Sequence, residues 1–174
     1  MSLRILFSGL ILGLLGGCAK QADLPDIVVA ATSHEEFTQF RADLGTRFSA
    51  ERLRDFDTAT RELQLDAMNR EIAAANAREA EMLRAANGKT IHAVTVLGWG
   101  ARKARFLREI ADLNGMLDRD LALQAKSAAT GTPEAVTRRI GSEREVLAQL
   151  QQNLTDTQRH LGELDSTPRN KETN

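Results

Sequence analysis

Thr132-Pro133-Glu134-Ala135-Val136 opens the stretch whose reading decides the fold, TPEAVTRRIGSEREVLAQLQQNLTDTQRHLGEL, residues 132–164. A capping hydroxyl followed by Pro at the first helical position is a strong helix start. From there Val136, Ile140, Glu143, Leu147, Leu150, Leu154, Thr157, Leu161 and Leu164 alternate steps of 4 and 3. Seven of those nine side chains are strongly apolar. A stripe sustained over about four heptads is the signature of coiled-coil packing.

The partner for this stripe lies just upstream. Residues 90–129 read as a second long helix, capped by Thr90 and stopped by Gly131. Leu107, Ile110, Asn114, Leu117, Leu121, Gln124 and Ala128 keep a heptad-like rhythm. Leu113, Met116 and Leu123 widen the face beyond a narrow seam. A turn of about four residues between two such helices makes an antiparallel hairpin. With the turn centred between residues 130 and 131, facing positions sum to about 261. Leu121 then meets Ile140, Asn114 meets Leu147 and Leu107 meets Leu154. The same register sets Arg105 near Asp156 and Asp118 near Arg144. Asn114 becomes the polar residue in the seam that fixes alignment.

Upstream of the hairpin the pattern is still helical. Ser33-His34-Glu35-Glu36 is a capping box, followed by Phe37, Phe40, Leu44 and Phe48 on one stripe. Ser49 caps the next helix, with Leu53, Phe56, Thr60, Leu63 and Ala67 at the same alternation. The pattern drifts at Leu65, Met68 and Ile72, then resumes through Ala75, Met82 and Ala86. One long helix, or two with a bend near Asn69, is expected here. Asn87-Gly88 ends that region with a left-handed C-terminal cap. Gly88-Lys89-Thr90 lacks the earlier Gly of a phosphate-binding loop, since Leu83 stands there, and no strand precedes it.

The expected fold is therefore all-α: N-terminal helices followed by a long antiparallel coiled-coil-like helical hairpin. The expected divisions are 33–89 for the N-terminal helices, 90–164 for the hairpin and 165–174 for a disordered polar tail. Residues 18–32 form a tether, in which Ile27-Val28-Val29-Ala30-Ala31 either seats on the body or makes a stray strand. Residues 1–17 belong to a separate signal.

Composition agrees with long exposed helices. Of 174 residues six are Phe, one is Trp and none is Tyr, which favours a thin core. The 23 basic and 24 acidic residues nearly balance, so there is no basic face of the kind nucleic acid requires.

The N-terminus carries the most specific motif. Met1 to Arg4 is short and positive, Ile5 to Leu15 is apolar, and Gly16-Gly17-Cys18 follows. An apolar run of about 11 residues rises only about 16 Å as a helix, too short for a hydrocarbon core of about 30 Å. It fits the hydrophobic region of a secretory signal. Leu15, Gly16, Gly17 and Cys18 resemble the lipobox of bacterial lipoprotein precursors. That resemblance implies diacylglycerol on Cys18, cleavage before it and, in many bacteria, a further acyl chain on the new amine. Two or three fatty acyl chains hold a protein on a membrane essentially permanently. Ala19, not Asp, follows the cysteine, and the resemblance then implies an outer-membrane anchor facing the periplasm. Asn87-Gly88-Lys89-Thr90, after a charged helical pair, is also loosely similar to small uncharacterised helical lipoproteins, which brings no activity.

Catalytic constellations are not visible. His34, His92 and His160 have no metal-ligand spacing, so neither a metal site nor a cofactor is expected. No Gly-x-Ser-x-Gly occurs, and carboxylates lie along helix faces beside arginines. With Cys18 lipidated no thiol remains. Leu97-Gly98-Trp99-Gly100-Ala101 is the one odd site: the single Trp stands between two glycines inside a helix, where each Gly costs about 1 kcal/mol relative to Ala. Either the glycines admit a neighbouring helix while Trp99 fills space, or Trp99 with Arg102 and Arg105 forms a partner-contact site for lipid headgroups or anionic glycan. The chain reads as a non-enzymatic, lipid-anchored envelope protein with a structural or protein-interaction role. Its expected partners are the membrane, through Cys18, and another protein or a second copy, through the helices.

Overall fold

In the computed structural model, which describes residues 22–129, 131 and 133–166, five helices follow a short 3-10 turn at Leu24–Asp26. They are α1 (His34–Arg47), α2 (Ala50–Asn69), α3 (Ala75–Ala86), α4 (Ile91–Ser127) and α5 (Glu134–Ser166). The fold is all-α, with α4 and α5 paired as a long helical hairpin.

The caps form where the sequence places them. Ser33 accepts from the Glu36 amide at 3.2 Å, while the Glu36 carboxylate reaches back to the Thr32 amide at 2.6 Å. Ser49 accepts from Arg52 and Thr90 from Ala93. Gly88 takes a φ of +75° between α3 and α4, a conformation nearly free of steric cost for Gly. Thr132 lies outside the described residues; at this turn Gly131 has a φ of +89° and the Pro133 carbonyl accepts from Val136 at 2.9 Å.

The 50–86 region is two helices, and their junction explains itself. Ile72 donates to the Ala67 carbonyl at 3.2 Å and Glu71 to Met68 at 3.0 Å, the paired bonds of a Schellman cap. Glu71 occupies the left-handed position, with φ +64°, where Gly is usual.

The core belongs to the N-terminal body. Leu44, Leu53, Phe56, Met82 and Val94 are fully buried, and Phe37, Phe40 and Phe48 pack against them. Phe37, Phe40 and Phe56 form a ring triangle with centroids 6.1–6.5 Å apart. The segment expected as tether is docked from Leu24 onward. Leu24, Val29 and Ala31 are buried, Val29 donates to the Lys89 carbonyl and Ile91 to that of Ile27, both at 2.8 Å. The anchor is a single antiparallel bridge between Val28 and Thr90. Apolar burial of Leu24 and Val29 outweighs the entropy that a free tether would keep.

Ala59–Gly98, Glu62–Arg105 and Asp66–Arg108 advance along both helices together, so α2 runs parallel to α4. In the hairpin, Asp120 bonds Arg139 and the Trp99 ring packs, tilted, against His160. Both pairs sum to 259, within two residues of the expected register. Every residue of the expected α5 stripe is buried or half-buried. The α4 stripe is corrected. Leu107 and Asn114 are exposed, and Phe106, Leu113 and Asp120 face inward beside Ile110, Leu117 and Gln124. The cause is the second neighbour: Gly98 must face α2, and this turns the α5 seam of α4 by one residue at alternate positions. Asn114 is thus not the seam's polar residue; Asp120, Glu143 and Thr157 are its buried polar side chains. The expected charge pairs change likewise. Arg105 bonds Glu62 and Glu109, and Asp156 pairs with Arg159. Among the described residues no helix is long and apolar enough to cross a membrane.

Candidate functional site

Trp99 stands where three helices meet. Gly98 precedes it, and a Cβ built there would lie 2.3 Å from both the Cα and the carbonyl oxygen of Ala59. No side chain fits that gap, so the backbones of α2 and α4 touch. Gly100 differs: a Cβ there would meet nothing within 4 Å. The close-packing reading therefore holds for Gly98 and not for Gly100.

The Trp99 ring is half-buried, its centroid 4.2 Å from that of His160 on α5. Arg102 lies over the other aromatic surfaces, 5.1 Å from the Trp99 centroid and 5.3 Å from Phe106. Arg105 stands 4.6 Å from Phe106. Such contacts are worth about 0.5–2 kcal/mol, rising as water is removed.

Both arginines direct their charge to Glu62 of α2. Its side chain is only 5% exposed and accepts from Arg105 Nε at 3.0 Å and Nη2 at 2.8 Å, with Arg102 Nη1 at 3.4 Å. Arg105 also donates to Glu109 at 2.9 Å. The Glu62 hydrogen bonds, ahead of the opposing cost of burial, hold the Arg105 guanidinium pKa above its ordinary value. This fork geometry ties α2 to α4.

His160 carries the third helix into the cluster. Its Nε2 lies 3.1 Å from Asp55 and its Nδ1 3.5 Å from Glu163, ion-pair distances without hydrogen-bond alignment at Nε2. Two donors in the cluster, Trp99 Nε1 and Arg102 Nε, are buried with no acceptor among the described residues.

Thus Trp99, Arg102 and Arg105 lie in one cluster, with Arg102 over both Trp99 and Phe106 and Arg105 over Phe106. Glu62, His160 and Asp55 join them without having been singled out from the sequence. The readable signal was Glu62, a charge one residue before Leu63 of the apolar row. Cys18, Leu15, Gly16 and Gly17 lie outside the described residues.

Other chemistry is sparse. A cleft of about 110 Å³ lined by Leu24, Arg52, Asp55, His92 and Leu164 is small beside ordinary ligand pockets of about 300–1,000 Å³, and one of about 410 Å³ at Arg54, Asp57 and Arg61 is lined by residues of α2 alone. His92 and His160 do not form a metal cluster, and no group of three or more metal-ligating side chains exists among the described residues. Comparison with protein families, with curated proteins and with solved structures finds no match.

Proposed function

We propose that the chain is a lipid-anchored protein of the bacterial cell envelope, non-enzymatic, whose helical hairpin is an interaction module. Leu15-Gly16-Gly17-Cys18 supports the anchor, with the outer membrane facing the periplasm as its place. The observation that carries the interaction role is the outer hairpin. α2 ends at Asn69, three residues after the Asp66–Arg108 ion pair, and α4 continues to Ser127 with α5 as its packing partner. On this projecting part Met116, Leu123 and Val146 are 44%, 50% and 48% exposed. Two helices alone cannot cover these side chains, and apolar surface grouped on the outer hairpin marks a contact site.

Photo-crosslinking from Leu123 and Val146 in intact envelopes tests this role. Protein adducts from both positions, with none from exposed Arg84 on α3, are expected. Absence of adducts from the hairpin contradicts it.

A second reading has one supporting observation, the buried donors Trp99 Nε1 and Arg102 Nε. They suit an acceptor oxygen of lipid headgroup or cell-wall glycan. Against it, Glu62 and Glu109 together already offset the charges of Arg102 and Arg105. Anionic vesicles or glycan fragments shifting Trp99 fluorescence in the wild type and not in Arg102→Leu support this reading; unchanged emission rejects it.

A further inference from the structure

Glu109, Asp112, Met116, Arg119, Leu123 and Lys126 step along α4 by 3, 4, 3, 4 and 3. This is a second heptad stripe, distinct from the seam that faces α5. All of it is exposed except half-buried Glu109. Its charges are ordered: Glu109 and Asp112 make the N-terminal half acidic, and Arg119 and Lys126, interleaved with the apolar Met116 and Leu123, make the C-terminal half basic. A helix of this pattern is complementary to itself when two copies run antiparallel. With facing positions summing to 235, Glu109 of one copy meets Lys126 of the other, Met116 meets Arg119, and Asp112 falls opposite Leu123, one turn from both Arg119 and Lys126. The parallel alignment sets like charges together and is disfavoured.

A second observation lies beside the stripe. Glu143 on α5 is buried, 6% exposed, and neither carboxylate oxygen has a hydrogen-bond partner among the described residues, although the Arg139 charge, one turn earlier, acts on it. A buried carboxylate without a hydrogen bond is costly, and such a group calls for an explanation. The hairpin register of 259 puts Glu143 level with Met116. The antiparallel alignment puts Arg119 of the second copy at that same level. Val146, one turn further along α5, is exposed next to it.

We infer that the occupant of this face is a second copy of the chain, forming a two-fold dimer through antiparallel α4 stripes. In it Arg119 of each copy reaches the buried Glu143 carboxylate of the other. The inference rests on the interaction role proposed above and names its partner. Because the interface is isologous, each substitution acts twice.

Sedimentation equilibrium of the full chain in detergent, with Cys18→Ser to remove thiol oxidation, tests it. A dimer of the 19.1 kDa chain is expected. Asp112→Lys and Arg119→Asp should each weaken dimerisation about tenfold or more, and the double variant should restore it, since the reversed charges again oppose each other. Glu143→Gln separates this from a folding defect. It should weaken the dimer while raising the thermal midpoint measured at low concentration, where the chain is monomeric. A monomer at all concentrations, or a dimer indifferent to all three single substitutions, overturns the proposal. Crosslinking from Met116 in envelopes tells its failure from that of the interaction role. An adduct of twice the chain mass supports the dimer. An adduct with a different protein overturns the dimer alone, and no adduct overturns both.

Discussion

Gly98 and Ala59 are in backbone contact, with space for no side-chain atom between them. This single approach sets α2 against α4 and turns Trp99 towards α5. Gly98→Ala should lower stability by about 1–3 kcal/mol, because the helices must separate to admit a methyl group. Gly100→Ala should raise it by about 1 kcal/mol, since open space surrounds that position and Ala favours helix. Urea unfolding of both variants measures the contrast. Equal effects would remove close packing as the reason for Gly98.

Glu62 gathers two arginines in a nearly closed position. Glu62→Ala leaves Arg105 and Arg102 partly buried without their shared counter-charge, and should cost about 3 kcal/mol. Glu62→Ala with Arg105→Leu should recover part of that loss, because the stranded charge is then removed. A thermodynamic cycle over these two variants and Arg105→Leu alone checks the coupling, and additive losses would show that the pair acts independently.

The α1–α3 contact is sensitive to pH. His34 Nδ1 lies 2.5 Å from Glu79, and the hydrogen bond to that carboxylate, with its charge, raises the imidazole pKa above its ordinary 6.5. The contact's stabilisation is therefore fully present below pH 6.5 and fades as pH rises through the elevated folded value. An NMR titration of His34 should show the raised value and its return towards 6.5 in Glu79→Gln. An identical titration in both proteins would refute the contact.

The hairpin register can be measured as a distance. Spin labels at Asn114 and Glu145, whose numbers sum to 259 like the Asp120–Arg139 pair, should lie roughly 15–20 Å apart, given helix axes about 8–10 Å apart and the label arms. Labels at Asn114 and Arg138 should be further apart by about one heptad of rise, roughly 10 Å along the axis before projection. A reversed order would mean a register one heptad away.

How much of this was legible follows from what each helix packs against. α5 has one principal neighbour, so its stripe from Val136 to Leu164 could be read directly. α4 serves two. The apolar widening by Leu113 and Met116 was visible, but choosing Leu113 over Asn114 for the seam required knowing that Gly98 faces Ala59. The α2–α3 break was harder still, because Glu71 holds the left-handed position where Gly would have announced a cap. His160 meets Trp99 through an approach of residues 61 apart in the chain, and no local pattern carries that. Asp120 shows the same limit: a carboxylate at a seam position reads as surface until Arg139, 19 residues away, is seen to cover it. Arg139 also holds the Asp120 carboxyl below the usual range, so this link weakens only as pH falls through that lowered value.

The anchor at Cys18 is the premise on which the envelope role stands, and intact-mass analysis of the chain recovered from bacterial membranes tests it most directly. The account predicts a mature N-terminus at Cys18 carrying diacylglycerol, with Cys18→Ser retaining the first 17 residues. A chain that keeps Met1 with an unmodified Cys18 thiol, or that is recovered in the soluble fraction, would contradict it.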